Sequence, residues 1–523
     1  MGRYLNVGND SFQAIRKGHY VDKTGLISFV NGVLGTMDKL ICVSRARRFG
    51  KSFAVKMLCA YYDKSCDSGA LFDDLEISKD PSYREHLNKY DVIYLDITSF
   101  ISRAVKISDT VSDLQKKVVK DLCECYSEAE GETTLPETMA KIHELTGNKF
   151  IVLIDEWDAL FREAKDDVNL QKEYILLLRG LFKSDLTDRM IEAAYMTGIL
   201  PVKKYGTQST MTDLREYSML APRQLAGYVG FTESEVRQLC KDYGMDFSET
   251  KKWYDGYYFQ EVGSVYNPNA IMQAMQNRKF RSYWTQTETY ETLKIYIDMD
   301  FDGLKETIIQ MLGGARCPAD TDIFQNDMTN IRCRDDVLTL LVHLGYLAYD
   351  EESKSVLIPN EEIRHEFLLA VKYSDHTEIA NLVKESDELL RHTLNLDAEK
   401  VAAAIERVHS ASTTPIYYNN EQALRSVIRF AYISCIVPFR EIQELPSGIG
   451  YADVVYLPKK GSAMPVMVVE LKWNKGAEGA VAQIKERNYP EVFDGYGSEI
   501  LLVGIGYDEK TKKHDCVIEK YYK

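Results

Sequence analysis

The stretch KLICVSRARRFGKSFAVKMLCAYY, residues 39–62, decides the fold of the first part of the chain. It begins with a short apolar run at residues 39–44 that is typical of a buried strand. A loop with a glycine at Gly50 follows. After the loop, apolar side chains recur at helical spacing, at Phe53, Met57, Leu58 and Tyr61. The stretch therefore predicts a strand, a loop and a helix in direct succession.

The loop ends in Gly50-Lys51-Ser52, as the phosphate-binding pattern G-x-x-x-x-G-K-[ST] does, although Arg45 occupies the place of its first glycine. Backbone N–H groups at a helix N-terminus favour an anion. In such a site Gly50 allows close backbone approach, Lys51 meets the β- and γ-phosphates, and the Ser52 hydroxyl binds Mg²⁺. The tripeptide alone is also compatible with a simple basic turn at a helix start.

A second signal lies downstream, where the apolar run IVLIDE ends in Asp155 and Glu156. We expect Asp155 to hold the Mg²⁺ shell and Glu156 to activate the attacking water, unless the acids only cap the strand in solvent. Thr197, at the end of AAYMTG, is expected to sense the γ-phosphate, although an ordinary strand-end threonine fits the pattern equally well.

Four strand-like runs alternate with helical stretches in the first 200 residues or so, at residues 39–44, 91–98, 149–155 and 191–199. This alternation predicts a parallel sheet with helices on both faces. The order of the two motifs predicts a P-loop ATPase of the kind with an extra strand between them. We assign DVIYLDIT, residues 91–98, to that extra strand.

A different pair of strands near the C-terminus carries a possible nuclease site. YADVVYLP places Asp453 at the start of one strand, and MPVMVVELKW places Glu470 and Lys472 on one face of the next. Cleavage of a phosphodiester needs carboxylates that hold a metal ion and a cation that stabilises the phosphate. Glu421 is a candidate further metal ligand, and Gln483 suits a helix facing the site. A surface salt bridge is the alternative explanation.

Six segments together resemble the bacterial AAA-ATPase-like proteins that carry a C-terminal PD-(D/E)XK nuclease domain. They are RARRFGKS, YLDIT, LIDEWDAL, MTGILPV, WYDGYYF and VYNPNAI. The loop of this family usually reads R-P-R-R-F-G-K-[ST], so that Arg45 is typical of the family and Ala46 replaces a proline.

The resemblance implies two sets of site residues. Together with the patterns above, it places the nucleotide at Arg47, Arg48, Phe49, Gly50, Lys51, Ser52, Asp155 and Thr197, with the alternative that Arg47 and Arg48 only brace acids of the lid. The nuclease motifs would be Glu421, Asp453, Glu470, Lys472 and Gln483, with Glu421, Asp453 and Glu470 as metal ligands. The implied cofactors are ATP and Mg²⁺, with Mn²⁺ as an alternative at the nuclease site.

The predicted fold class is α/β, with five segments. Residues 1–205 form a P-loop AAA-ATPase-like domain, 206–300 a helical lid, 301–375 a winged-helix-like module and 376–410 a helical connector. Residues 411–523 form a PD-(D/E)XK restriction-endonuclease-like domain. The aromatic residues of WYDGYYF are expected to pack inside the lid rather than bind a cofactor.

Composition excludes several other classes of protein. A net charge of −15 argues against a chain coated uniformly for nucleic-acid binding, although a local basic surface remains compatible with it. The 10 cysteines are scattered, without the paired spacing of a zinc finger, and are expected to be reduced thiols. The N-terminus lacks the apolar core of a signal peptide, and no long apolar run suggests a membrane span. We therefore expect a cytoplasmic protein.

The leading hypothesis is an ATP-hydrolysing protein coupled to a metal-dependent nuclease. Its expected partners are ATP and a nucleic acid, for which DNA is the first choice. One alternative is a nucleotide-dependent regulatory switch that binds nucleic acid or a protein without cutting. Another is an interaction protein in which both sites are vestigial. The sequence leaves open whether copies of the chain form a homo-oligomer.

Overall fold

The computed structural model describes the chain as two compact units. It describes every residue except 1, 203–212, 285–289, 300, 302, 325–330, 374–376, 412–426, 437, 448–449, 459–463, 487–492, 494–498 and 523. One unit contains residues 1–283 and 318–360, and the other contains residues 284–317 and 361–523. The five segment boundaries drawn from the sequence stay a prediction.

The described residues form helices and strands along the whole chain. The helices are α1 (Asp10–Arg16), α2 (Gly25–Asn31), α3 (Lys51–Tyr62), α4 (Gly69–Phe72), α5 (Tyr83–His86), α6 (Ile97–Arg103), α7 (Thr110–Cys125), α8 (Leu135–Thr146), α9 (Ala159–Glu163), α10 (Val168–Phe182), α11 (Thr187–Met190), α12 (Glu233–Tyr243), α13 (Phe247–Tyr254), α14 (Pro268–Asn277), α15 (Tyr290–Ile297), α16 (Leu304–Leu312), α17 (Arg334–Leu344), α18 (Glu361–Lys372), α19 (Thr377–Leu394), α20 (Ala398–Ala411) and α21 (Ala477–Glu486). In this described part of the chain, no helix combines the length and the apolar character needed to cross a membrane.

The strands are distributed over both units. They are β1 (Leu40–Ser44), β2 (Asp91–Asp96), β3 (Phe150–Asp155), β4 (Ile191–Gly198), β5 (Arg215–Tyr217), β6 (Phe231–Thr232), β7 (Tyr257–Phe259), β8 (Gly263–Tyr266), β9 (Cys317–Pro318), β10 (Ala348–Asp350), β11 (Ser355–Leu357), β12 (Phe439–Ser447), β13 (Gly450–Pro458), β14 (Val466–Trp473), β15 (Glu499–Asp508) and β16 (Lys513–Tyr522).

The N-terminal sheet is parallel, in the order β2-β3-β4-β1-β5. Every residue of β1 and of β3 is buried, because helices cover both faces. α3 contacts β3 and β4, while α7, α8 and α10 contribute to a core cluster that includes residues of β1 to β4. This confirms the predicted α/β fold of the first part of the chain. The carboxyl ends of β1, β3 and β4 lie at one edge of the sheet, where ligands bind in such folds.

The assignment of the extra strand is wrong. In the sheet β4 lies between β1 and β3, whereas β2, which contains most of DVIYLDIT, lies at the edge beyond β3. β2 therefore lies between the two motifs in the sequence but not in the sheet. The physical reason is that the order of parallel strands depends on crossovers, which a local apolar pattern does not encode. The short β5, parallel to β1, is absent from the sequence prediction.

The region predicted as a helical lid also contains strands. α12 begins with a capping box between Thr232 and Glu235, and it ends at Gly244 in the left-handed conformation. A small antiparallel sheet, β6-β8-β7, accompanies α12, α13 and α14. The aromatic and β-branched residues of YYF and GSVY explain these strands, because such side chains favour extended backbone.

The segment that follows contains a helix, a hairpin and a further helix. α17 ends at Gly345, whose φ is +86°, and β10 and β11 pair antiparallel before α18 begins. Asp350 accepts the backbone N–H groups of Glu352 and Ser353 in the turn. The winged-helix-like assignment itself stays a prediction.

The C-terminal sheet is mixed, in the order β12-β13-β14-β15-β16. β14 and β15 are parallel, and the other pairs are antiparallel. One core cluster joins the sheet to α19 and α20, and a second joins it to α21. This confirms a C-terminal α/β domain. β12 and β16 lie outside the runs that the sequence marks as strands.

Candidate functional site

The loop between β1 and α3 depends on left-handed backbone. Gly50 precedes α3 with a φ of +92°, and a Cβ there would meet nothing within 4 Å, so that its backbone rather than crowding demands glycine. Arg48 also has a positive φ, of +66°. These two residues turn the chain so that the N-terminus of α3 lies on the wall of a cavity.

Lys51, the first residue of α3, is held against its own loop. Its Nζ donates to the backbone carbonyls of Arg45 at 3.0 Å and Ala46 at 2.9 Å. Burial lowers the pKa of Lys51, and the carboxylates of Glu156 and Asp158 oppose part of that shift. The ammonium group is therefore fixed close to the acids that follow β3, at the loop position expected to contact phosphate.

Arg45 braces the loop and lies outside the set of described residues that line the cavity. Its side chain is fully buried, and Nη1 donates to the carbonyls of Ser44 at 3.0 Å and Tyr217 at 2.9 Å. Its guanidinium also lies 5.3 Å from the ring centroid of Phe259. Burial lowers the pKa of Arg45 to about 10. The arginine in the place of the first glycine thus ties the loop to β5 and β7.

The acids after β3 form an ionic cluster with Arg162. Glu156 has a φ of +53°, and its Oε2 lies 2.5 Å from Nη2 of Arg162. Nε of Arg162 contacts Oδ2 of Asp158 at 3.1 Å. Burial raises the pKa of Glu156, while the charges of Lys51 and Arg162 oppose that shift. A raised pKa is the property that a carboxylate needs to accept a proton from water near neutral pH.

Thr197 lies beside Asp155 at the end of β4. Its Oγ1 donates to Oδ1 of Asp155 at 2.7 Å, and its carbonyl accepts the N–H of Trp157 at 2.8 Å. It is fully buried and is not among the described residues that line the cavity. The geometry therefore makes it a residue that orients Asp155. Its role as a γ-phosphate sensor stays a prediction.

A cavity of about 680 Å³ opens beside these groups. Residues 47–52 line it together with Asp155 and Glu156, so that every predicted nucleotide residue except Thr197 shares one cavity. Apolar side chains also form part of the wall, namely Phe53, Met57, Phe231 and Met272. A cavity of this size with charged and apolar walls suits a ligand that has a polyanionic end and an aromatic end.

Several cavity residues are missing from the sequence prediction. They are His19, Tyr20, Val21, Lys23, Phe53, Ala54, Met57, Asp96, Thr98, Arg162, Glu163, Tyr228, Gly230, Phe231, Pro268, Asn269 and Met272. Asp96 and Thr98 could have been found, because they follow a parallel strand whose carboxyl end shares the ligand edge. Arg162 follows Asp158 at i+4 spacing, which also signals a pair. The other residues reach the cavity only through tertiary contacts, such as the 2.6 Å ion pair between Lys23 and Glu235.

Two motifs of the segment 206–300 contact the loop between β1 and α3. Phe49 packs edge-on against Tyr257 of WYDGYYF, with ring centroids 5.4 Å apart. Asn267 of VYNPNAI donates from Nδ2 to the carbonyl of Arg47 at 3.3 Å. The Tyr257 hydroxyl donates to the carbonyl of Gly345 at 2.5 Å. A continuous set of contacts therefore runs from the loop through β7 to the end of α17.

The second candidate site lies on β13 and β14. The antiparallel register of these strands pairs Val454 with Val469, the neighbours of Asp453 and Glu470 in the chain. Oδ2 of Asp453 accepts the N–H of Leu471 at 2.9 Å, and Nζ of Lys472 lies 3.3 Å from Oε1 of Glu470. Asp453 therefore contacts the backbone of β14 next to Glu470, and Lys472 contacts the carboxylate of Glu470.

Both carboxylates of this group are buried, with Asp453 6% and Glu470 2% exposed. Two neighbouring buried carboxylates need positive charge, which Lys472 and a divalent cation can supply. In the described part of the chain, no three His, Cys, Asp or Glu side chains form a metal-binding group. Glu421, the predicted further ligand, lies outside the described residues. Gln483 is half-buried on α21.

Two parts of the chain match known domain families. Residues 6–207 match the family described as predicted AAA-ATPase, and residues 419–516 match the PD-(D/E)XK nuclease superfamily. The first match contains the loop and the acids that follow β3, and the second contains all five predicted nuclease residues. Domains of these two kinds generally use ATP and divalent metal ions.

One curated relative is the "Uncharacterized protein in vnfD 5'region" of Azotobacter chroococcum mcd 1, which is 25% identical over 293 residues. The alignment covers 54% of each protein, so the chain spans about half the length of the curated relative that it matches. Among solved structures, the Aeropyrum pernix ORC2 protein in its ADPNP-ADP complexes is similar at 10% identity with a TM-score of 0.22, over 69% of this chain and 94% of that one. PCH-2 of C. elegans is similar at 15% identity with a TM-score of 0.19, over 69% and 65%. Likeness at this level carries no argument.

Proposed function

We propose that this chain, which joins an AAA-ATPase-like domain to a PD-(D/E)XK nuclease-superfamily domain, hydrolyses ATP and thereby controls the cutting of nucleic acid. One observation supports the ATPase part above all others. A single cavity is lined by the phosphate-type loop, residues 47–52, and by the two acids at the end of β3. A triphosphate in this cavity would meet Lys51 and the acids that bind Mg²⁺ and activate water.

Each group of the nucleotide site has a proposed role. Lys51 and the N-terminus of α3 bind the phosphates. Ser52 and Asp155 hold Mg²⁺, since this cation needs few protein ligands and keeps several waters. When bound, Mg²⁺ neutralises charge on the phosphate oxygens. Glu156 accepts a proton from the attacking water, and Thr197 keeps Asp155 oriented.

The nuclease part is supported by two contacts on β13 and β14, namely Asp453 with the N–H of Leu471 and Lys472 with Glu470. Asp453 and Glu470, with Glu421, are the proposed ligands of Mg²⁺ or Mn²⁺, which polarises the phosphodiester when bound. Lys472 stabilises the extra negative charge of the reacting phosphate. Gln483 faces the substrate from α21. DNA is the proposed substrate.

A second candidate function is a regulatory switch that binds nucleotide, and a nucleic acid or protein partner, without cutting. The observation in its favour is the ion pair between Arg162 and Glu156 at 2.5 Å. A guanidinium on this carboxylate makes it a weaker base, and slow turnover follows. Slow turnover is the behaviour expected of a switch rather than a motor.

The cysteines support a cytoplasmic location. All 10 are free thiols, from Cys42 to Cys516. Free thiols in this number are typical of a reducing compartment. We therefore place the ATPase and nuclease activities in the cytoplasm.

The experiment measures ATP hydrolysis and the cleavage of single- and double-stranded DNA and RNA with Mg²⁺ or Mn²⁺. It compares wild type with Lys51→Ala, Asp453→Ala and Lys56→Ala, a lysine of the same helix that lies outside the described cavity wall. We expect Lys51→Ala to lower hydrolysis by about 100-fold, because a preorganised phosphate contact is lost. We expect Asp453→Ala to abolish cleavage and Lys56→Ala to resemble wild type.

The outcomes separate the two candidate functions. Cleavage that survives Asp453→Ala contradicts the nuclease assignment. Hydrolysis by wild type without cleavage of any nucleic acid favours the switch. Hydrolysis that is equal in Lys51→Ala and wild type contradicts the nucleotide site.

A further inference from the structure

Arg162 is a cation of the nucleotide cavity to which the roles above give no task. It lies in α9, and its side chain is 11% exposed. It lines the cavity together with Lys51 and Glu156. A cationic side chain in this place either supports the fold or acts on the bound nucleotide, and the geometry of its two ends distinguishes these roles.

One end of Arg162 is fixed by Asp158. Oδ2 of Asp158 accepts the N–H groups of Ile199 at 3.2 Å and Leu200 at 3.0 Å as well as Nε of Arg162 at 3.1 Å. Asp158 is only 1% exposed, so this anchor is rigid. The Nη2 end contacts Glu156 instead, whose side chain is 25% exposed. The Nη2 end is therefore the one that can exchange its partner without disturbing the core.

Arg162 and Lys51 are two cations that face one cavity. Both side chains line the same cavity of about 680 Å³, so their like charges repel each other across it. Each is held on a protein partner, Lys51 on loop carbonyls and Arg162 on carboxylates. An anion bound between Lys51 and Arg162 would attract both cations and offset the repulsion between them. A chain of phosphates is the anion that this loop predicts.

We propose that Arg162 contacts the terminal phosphate of a bound nucleoside triphosphate and in doing so releases Glu156 to act on water. The proposal rests on the proposed ATPase function, since it needs a triphosphate in this cavity. The planar guanidinium matches phosphate oxygens well, and the contact is charge-assisted. As long as Arg162 contacts Glu156, it occupies Oε2 of the proposed base. Transfer of Nη2 to phosphate would free that oxygen, so that the chain distinguishes a triphosphate from a diphosphate.

The test compares the affinities for a non-hydrolysable ATP analogue and for ADP, both with Mg²⁺, by calorimetry on the full chain. The variants are Arg162→Ala, Arg162→Lys and Arg237→Ala. Arg237 is the matched control, because it also forms an i,i+4 ion pair, with Glu233 on α12, away from the described cavity wall. We expect Arg162→Ala to weaken analogue binding by about 10-fold or more, the value of a charge-assisted contact, and ADP binding by less than about 2-fold. Arg162→Lys should restore part of the preference, and Arg237→Ala should change neither affinity.

Each result of this comparison supports or overturns the proposed role of Arg162. An equal loss for both nucleotides, or no loss for either, overturns the role of Arg162 and leaves the ATPase proposal intact. A wild-type chain that binds neither nucleotide contradicts the ATPase proposal, and the role of Arg162 fails with it. Thermal unfolding checks that each variant is folded. If Arg162→Ala is destabilised, Arg162→Gln, which can still donate to Asp158, replaces it and should show the same selective loss.

Discussion

Gly198 is the last residue of β4, and it lies against Trp157 and Asp158, which follow β3. A Cβ at this position would lie 2.6 Å from the ring of Trp157 and 2.7 Å from Oδ1 of Asp158. We therefore expect Gly198→Ala to lower the free energy of unfolding by about 1–3 kcal/mol through overpacking. ATP hydrolysis should fall as well, because Asp158 anchors Arg162 next to the proposed base. Urea denaturation and a steady-state ATPase assay measure the two effects.

Gly32 offers a matched control for this substitution. It follows α2 with a φ of −67°, and a Cβ there would make only ordinary contact, at 3.4 Å or more. Gly32→Ala should change the free energy of unfolding by less than about 0.5 kcal/mol. Equal stability of Gly198→Ala and wild type would contradict the crowding argument.

At this scale the sequence predicted the residues that belong to a continuous motif. Gly50, Lys51 and the two acids after β3 are such residues, since the chemistry of each is tied to its neighbours in the chain. Arg162 and Lys23 were missed, because their task depends on partners that folding supplies. Lys23, for instance, pairs with Glu235, more than 200 residues away along the chain.

α14 begins at a residue that also holds the nucleotide loop. Oδ1 of Asn267 accepts the N–H groups of Asn269 at 2.9 Å and Ala270 at 3.3 Å, while Nδ2 donates to Arg47. Asn267→Ala loses both functions, and we expect it to lower the free energy of unfolding by about 1 kcal/mol and to weaken ATP binding. Asn267→Asp keeps the helix cap but loses the donor.

The pair of variants therefore separates the cap from the loop contact. Asn267→Asp should retain most of the stability and still bind ATP more weakly than wild type. Calorimetric binding of an ATP analogue and thermal unfolding are the measurements. Wild-type affinity in Asn267→Asp would show that the contact with Arg47 has no part in nucleotide binding.

β16 carries a histidine whose titration links pH to stability. Burial lowers the pKa of His514 from 6.5 to about 4, and the charge of His409 on α20 lowers it further in the same direction. Nδ1 of His409 lies 3.1 Å from Nε2 of His514. Cys516 on the same strand stays neutral in this range, because burial raises the pKa of its thiol to about 12. The folded chain disfavours protonated His514, whereas the unfolded chain protonates it below about pH 6.5. The free energy of unfolding therefore keeps the full contribution of neutral His514 above pH 6.5 and loses it as the pH falls towards 4. The loss should reach roughly 3 kcal/mol.

His514→Phe is the variant that tests this. It keeps an aromatic ring beside Tyr507, whose centroid lies 4.8 Å away, but it cannot be protonated. The denaturation midpoint, followed by circular dichroism from pH 7 to pH 4, should fall less steeply in His514→Phe than in wild type. Parallel curves would exclude His514 as the cause.

Elements differ in how well the sequence predicted them. β1, β3, β4 and β14 are continuous apolar runs, so their existence follows from local pattern. The order of the strands and the short β5 do not, because both depend on pairing between distant segments. The small sheet β6-β8-β7 is absent from the sequence prediction because its strands contain only two to four residues each, too few for a clear period-2 pattern.

At the scale of the whole molecule, the two candidate sites belong to different compact units. The nucleotide cavity lies in the unit of residues 1–283 and 318–360, and Asp453, Glu470 and Lys472 lie in the unit of residues 284–317 and 361–523. The chain crosses between these units more than once, before α15, within β9 and before α18. Three covalent connections therefore join the unit that contains the cavity to the unit that contains Asp453, Glu470 and Lys472.

Coupling between the sites is the prediction that follows. We expect ATP binding to permit cleavage and hydrolysis to end it. Glu156→Gln should slow hydrolysis by about 100-fold or more through loss of the general base, yet cut DNA in the presence of ATP. Lys51→Ala should lose ATP-stimulated cleavage, because it binds the phosphates poorly.

A labelled DNA duplex, incubated with each variant and with ATP, ADP or no nucleotide, measures this coupling. Lys56→Ala serves as the control for helix α3. Equal loss of cleavage in Glu156→Gln and Lys51→Ala would mean that turnover, and not binding, drives the nuclease. Cleavage that is independent of nucleotide in every variant would mean that the two sites act separately. The sequence does not distinguish coupled sites from independent ones, because the residues of both sites are the same in the two cases.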